Sequence, residues 1–153
     1  QSHGGAYVFC SPSIQQVEDI FEIRRVLEPL AAKKAIKNSS AEDIQLLKDL
    51  ISKERELIDE EDVSQTYTFN AEFRKTFFRL CGNEQLANNI DEFMGHVLFL
   101  GILTLKRKSV REIVIAGQTK IVEGLENGDE DEMEKLIHMN LDASYNAIMA
   151  ELK

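Results

Sequence analysis

Five polar side chains fall on or beside apolar helical stripes in this sequence: Arg24, Asn70, Arg74, Gln118 and Asn140. The forked guanidinium of arginine matches a carboxylate or phosphate, and side-chain amides both donate and accept hydrogen bonds. A single polar residue of this kind is ordinarily a satisfied core group. Five of them spread over four helices read instead as the convergent polar lining of a small-molecule pocket inside a bundle. Neither arginine has an obvious acid beside it, which favours an anionic ligand, a carboxylate or another small acid. A second constellation is Glu92-x-x-x-His96 with Glu134-x-x-x-His138, each an acid and an imidazole one helical turn apart. It supports the alternative of a helical-bundle metalloprotein or enzyme. Di-iron bundles use Glu-x-x-His with further glutamates, and acidic surfaces produce the observed spacing freely. There is no G-x-S-x-G, no phosphate-cradling glycine loop and no C-x-x-C. No nucleophile or catalytic base can be nominated, so the reading is not an enzyme, with no cofactor and no metal.

The elements that position these residues are helices. Tyr67 to Asn83 is the organising stretch, with Phe69, Phe73, Phe77 and Leu80 on one stripe, Asn70 and Arg74 beside it, and Gly82-Asn83 as its stop. Ser13 to Ile36 is the first helix: Ser13 caps it, Arg24 sits among Ile20, Leu27 and Ala31, and Pro29 predicts a kink. Arg24 either faces a ligand or lays its stem on the surface with its head in water. Ser40 to about Glu61 is the second, opened by a Ser40/Asp43 capping box and lined by Ile44, Leu47, Ile51 and Ile58. The run Asp59 to Asp62 reads as a solvated break. Glu84 to Leu105 reads as one helix that Gly101 ends or bends. Ser109 to Asn127 follows, with a Ser109-to-Glu112 capping box and Gln118 among Val114, Ile121 and Leu125. Asn127-Gly128 closes it. Asp129 opens the last helix, which carries Asn140 with Met133, Ile137 and Leu141. The result is an all-α antiparallel bundle of six to seven helices.

Composition sets the bounds. With 153 residues, 43% apolar and 29% charged, the chain makes one globular domain with a core. The longest apolar run, Val97 to Leu105, is too short to span a membrane and reads as buried core. Cys10 and Cys81 do not make a disulfide framework, which points to a cytoplasmic location. A net charge of −9 argues against this chain gripping nucleic acid by itself. Residues 1–12 are not helical. Gly4-Gly5 before Ala6-Tyr7-Val8-Phe9 reads as a turn feeding a short strand, or as a disordered tail.

The order and spacing of these motifs resemble a known family. Glu22 to Ala35 (EIRRVLEPLAAKKA), Asn70-x-x-Phe73-Arg74 followed by Gly82-Asn83, Gln118-x-x-Ile121, and Gly128-Asp129 leading to Asn140-Leu141 are similar to the FCD domain. That is the C-terminal effector-binding domain of the FadR subfamily of GntR transcription regulators. The resemblance runs from about Val17 to Leu152. It implies an all-α effector-sensing and dimerisation domain, residues 13–153. Residues 1–12 become the end of a winged helix-turn-helix wing and a linker, and DNA is contacted through an N-terminal domain outside the 153 residues. It also implies a homodimer, with Phe21 and Phe99 as spare apolar surface.

The departures from the family are chemical. Many members hold a divalent metal through an Asp and three His; carried over by position, those places are Asn70, Arg74, Gln118 and Asn140. Side-chain amides ligate weakly and arginine not at all. The resemblance therefore implies a metal-free variant in which Arg74 supplies the positive charge and holds an acidic effector, with Arg24, Asn70, Gln118 and Asn140 assisting. The bland alternative is that Arg74 pairs with an internal acid and the pocket is vestigial.

Overall fold

The structure, a computed structural model, describes residues 11–153. The expectations for the strand at Ala6 to Phe9, for the wing and for Cys10 lie outside those residues. Seven helices follow one another: α1 Ile14–Asn38, α2 Ala41–Glu56, α3 Ser64–Arg79, α4 Glu84–His96, α5 Leu98–Leu105, α6 Lys108–Asn127 and α7 Glu130–Leu152. They form an all-α antiparallel bundle. The most extensive packing is between α1 and α7, followed by α2 on α3, α6 on α7 and α2 on α6. α1 also touches α3, α4 and α6, so it is the axis on which the bundle is assembled.

Local signals explain most helix ends. Ser13 and Gln16 form a reciprocal capping box, as do Ser40 and Asp43. Asp129 accepts from the backbone N–H groups of Asp131 and Glu132 at the start of α7. Gly82 and Gly128 take left-handed backbone angles, φ 70° and 72°, where a side chain would be strained. Asn83 does not share that role. It is extended, and its side chain accepts from Leu86 N at 3.0 Å to cap α4. α1 continues as one helix through the buried Pro29.

Four details differ from the sequence reading. α2 stops at Glu56, and the exposed acidic run lies in the loop, where Asp62 accepts from Ser64 N at the start of α3. The stretch from Glu84 to Leu105 is two helices broken at Val97, not at Gly101. The run is apolar on all sides, and a break in its axis lets Val97, Leu100 and Leu105 all be buried. α6 begins at Lys108 behind Arg107, without the Ser109 capping box. Tertiary ties fix that end: Lys108 pairs with Asp59 at 2.5 Å, and Arg111 donates to the carbonyls of Ile58, Leu105 and Lys106. Phe21 is no spare surface. It is 1% exposed and packs edge-on against Tyr145. The exposed large apolar residues of α1 are Ile14, Ile23, Val26 and Leu30, and the last three share one stripe. Phe99 on α5 is exposed, as expected.

Candidate functional site

α1 places Arg24 and Glu28 one turn apart on its inner face, and both are buried. Arg24 Nε donates to Glu28 Oε1 at 2.5 Å, and its guanidinium carbon lies 4.5 Å from the centre of the Phe21 ring. Of the two positions open for Arg24 the structure takes the buried one, and it corrects the reading that Arg24 has no local acid. Glu28 went unnoticed because the stripe was read through Leu27 and Ala31. The i, i+4 spacing from Arg24 was the available signal. The pair leaves Arg24 Nη1 buried without a partner.

α3 brings Arg74 to the same place. Its side chain is 26% exposed, but Nη2 is buried and makes no hydrogen bond. Glu28 Oε1 is 3.9 Å away, outside hydrogen-bonding range and engaged by Arg24. Burial, with the charge of Arg24, brings the Arg74 pKa down to about 10, so the side chain remains a cation at neutral pH. Asn70 lies one turn earlier on α3, half-buried.

α2 adds a residue the sequence reading passed over. Glu54 is 1% exposed and sits in the stripe between Ile51 and Ile58, at i+7 from Leu47. Gln118 of α6 donates from Nε2 to Glu54 Oε1 at 2.8 Å. Burial pushes the Glu54 carboxyl up to about 7, against the opposing pull of Gln118 and Asn70. Gln118 is itself buried, and its Oε1 has no partner. On α7, Asn140 lies across Gly117 of α6. A Cβ at residue 117 would meet Asn140 Oδ1 at 2.5 Å, so the glycine lets the Asn140 side chain lie close against α6 in this position.

All five residues singled out from the sequence line one cavity of about 160 Å³, together with Glu28. Phe73, Phe77, Ile121, Ile137 and Leu141 supply its apolar wall. Arg24 Nη1 and Arg74 Nη2 are unmatched donors, and Gln118 Oε1 is an unmatched acceptor. Of the charged residues lining the cavity, two are arginines and one, Glu28, is an acid.

The residues present do not suit a divalent cation. Two arginines occupy the site, and among the described residues no three His, Cys, Asp or Glu side chains converge. The acid–imidazole pairs lie elsewhere. Glu92 and His96 are exposed, and Glu134 stands 4.0 Å from a half-exposed His138 while pairing with Lys33.

Among the described residues, seven antiparallel helices enclose an apolar-walled cavity with a few convergent polar groups, an all-α domain with a candidate ligand site. Residues 19–143 match the family model of the FCD domain, and the chain belongs to that family, the effector-binding domain of GntR-type regulators. The fold is similar to that of E. coli McbR/YncC, with a TM-score of 0.71 and 22% identity, covering 88% of this chain and 70% of that one. Among curated proteins no sequence matches this chain. Among the described residues no helix is long and apolar enough to cross a membrane.

Proposed function

We propose that this domain senses a small anionic effector without a metal and passes the signal to a DNA-binding domain as part of a cytoplasmic homodimer. The observation that carries the reading is the cavity itself. Arg24 and Arg74 both line it, and each keeps a buried guanidinium nitrogen without a hydrogen-bond partner, which is costly in so apolar a setting. A carboxylate between the two guanidinium groups satisfies both, and Gln118 Oε1 accepts from a hydroxyl or amine on the same molecule. Asn70 and Asn140 complete the polar rim.

The lining comes from α1, α3, α5, α6 and α7, so a bound anion ties five helices together. A ligand that prefers one arrangement of these helices shifts the population toward it, and the spacing of two attached winged-helix domains follows. The dimer places an apolar patch of each copy against the other, and Ile23, Val26 and Leu30 of α1 with Phe99 of α5 are the exposed candidates.

The test is calorimetric titration of the purified chain with small carboxylates, inorganic phosphate and neutral amides of the same size. Saturable binding of acids and none of the amides is expected. Equal binding of acids and amides would overturn the anionic reading. Sedimentation at micromolar concentration tests the dimer, and a monomer alone would count against it.

A further inference from the structure

We propose that the effector is a monocarboxylate with an apolar body, the acid group at Arg74 and the body in a second cavity between α3, α4 and α5. This rests on the anionic reading above and adds the substrate class. The second cavity measures about 330 Å³, twice the first. The two share Asn70, Arg74, Phe78, Thr104, Val114 and Ser144, so these side chains form the partition between them. The first cavity alone is smaller than the roughly 300–1,000 Å³ usual for ligand sites, and the pair together falls within that range.

The second cavity is walled mainly by apolar groups, among them Ile90, Met94, Val97, Leu98 and Leu105. Its charged lining besides Arg74 is Lys75 and Asp91, of opposite sign, and Asp91 is also 3.8 Å from Arg79. It therefore offers no second anion site. The buried unpartnered guanidinium nitrogens, Arg24 Nη1 and Arg74 Nη2, stand beside the Glu28 carboxylate, which disfavours a doubly charged head group. One charge at the partition and carbon beyond it is the ligand this geometry accommodates.

Glycine 101 makes the proposal testable. Gly101 lines the second cavity and not the first, and a Cβ built there meets nothing within 4 Å. Gly101→Leu puts a side chain into open space within α5, and Gly101→Ala does so by one methyl group. The experiment is calorimetry of the chain and both variants with acetate, butanoate, hexanoate and octanoate, with hexyl phosphate as the dianionic control. In the parent chain affinity should rise about fourfold per added methylene until the cavity is filled. In Gly101→Leu that gain should vanish for hexanoate and octanoate while acetate binds unchanged, with Gly101→Ala between the two. Hexyl phosphate should bind more weakly than hexanoate. Affinity independent of chain length in the parent, with binding still lost in Arg74→Ala, overturns this inference and leaves the anionic reading standing. Failure of every acid to bind overturns both. Equal weakening of acetate and octanoate in the glycine variants overturns the placement of the body.

Discussion

Arg74 Nη2 stands 3.9 Å from Glu28 Oε1, close enough to feel its charge and too far to donate a hydrogen bond to it. The nearer claim on that carboxylate is Arg24, at 2.5 Å. Arg74 is thus held in a partly apolar cavity with its charge only partly balanced. If a bound acid supplies the balance, Arg74→Ala should weaken its binding by about 2–5 kcal/mol, part of that being the partner left unpaired. Arg74→Lys should recover only a fraction, since an ammonium cannot form the two-pronged contact. Both variants should keep the helical spectrum, because Arg74 Nη2 makes no hydrogen bond within the protein. Titration with the tightest-binding acid checks this, and unchanged affinity in the alanine variant would sink the idea.

The Arg24–Glu28 pair should behave differently. Both members are buried, so Glu28→Ala leaves a guanidinium without its counter-charge. Loss of one partner from a buried pair costs on the order of 3–5 kcal/mol. Urea denaturation of Glu28→Ala should show a loss of that size, and a smaller loss in Glu28→Gln, which keeps an oxygen acceptor. A change below about 0.5 kcal/mol, the usual range for surface substitutions, would mean that water already reaches Arg24.

Glu54 gives a pH signature. Its carboxyl is raised to about 7 in the folded chain, from an ordinary value of 4.5. The folded state therefore holds more protons than the unfolded state between those values, and stability falls as pH rises through that window. The full loss is reached above the folded pKa and amounts to up to about 3 kcal/mol. Glu54→Gln should remove this contribution and flatten the stability profile between pH 4.5 and 7. A parent profile that rises across the window, or a slope unchanged in Glu54→Gln, would show that Glu54 stays ionised. Acid binding should also strengthen as Glu54 protonates, because a negative charge is lost from behind Gln118, which lines the cavity.

Thermal stability should be indifferent to chelator. The site offers two guanidinium groups, three amides and the Glu28 carboxylate already engaged by Arg24, a set that does not suit a divalent ion. A drop in melting temperature on adding EDTA, reversed by a divalent ion, would contradict this.

Gly117→Ala tests the positioning of Asn140. The added methyl group must push the Asn140 side chain aside, since its oxygen would lie 2.5 Å away. Weaker acid binding is expected, without loss of helix content. Equal binding by Gly117→Ala and the parent would show that Asn140 does not contribute.

The amino-acid pattern alone was enough for the helical stretches apart from the break at Val97, for several of their caps and for five of the cavity's polar lining residues. Those features depend on neighbours within a turn or two: the Ser40/Asp43 box, the Gly128 stop, the phase of Gln118 against Ile121. The FCD assignment was legible for the same reason, since ordered motifs survive when individual residues change. Tertiary structure decided the partners. Glu28 and Glu54 lie on inward stripes where a sequence scan looks for apolar residues, and only packing shows that Arg24 and Gln118 meet them. The start of α6 was decided the same way, by Lys108 reaching Asp59, 49 residues earlier, over a capping signal at Ser109. Val97 broke its helix because a run apolar on every side has no preferred face until its neighbours supply one. Helix phase is a property of the chain, whereas the balance of buried charge is a property of the space that several helices enclose.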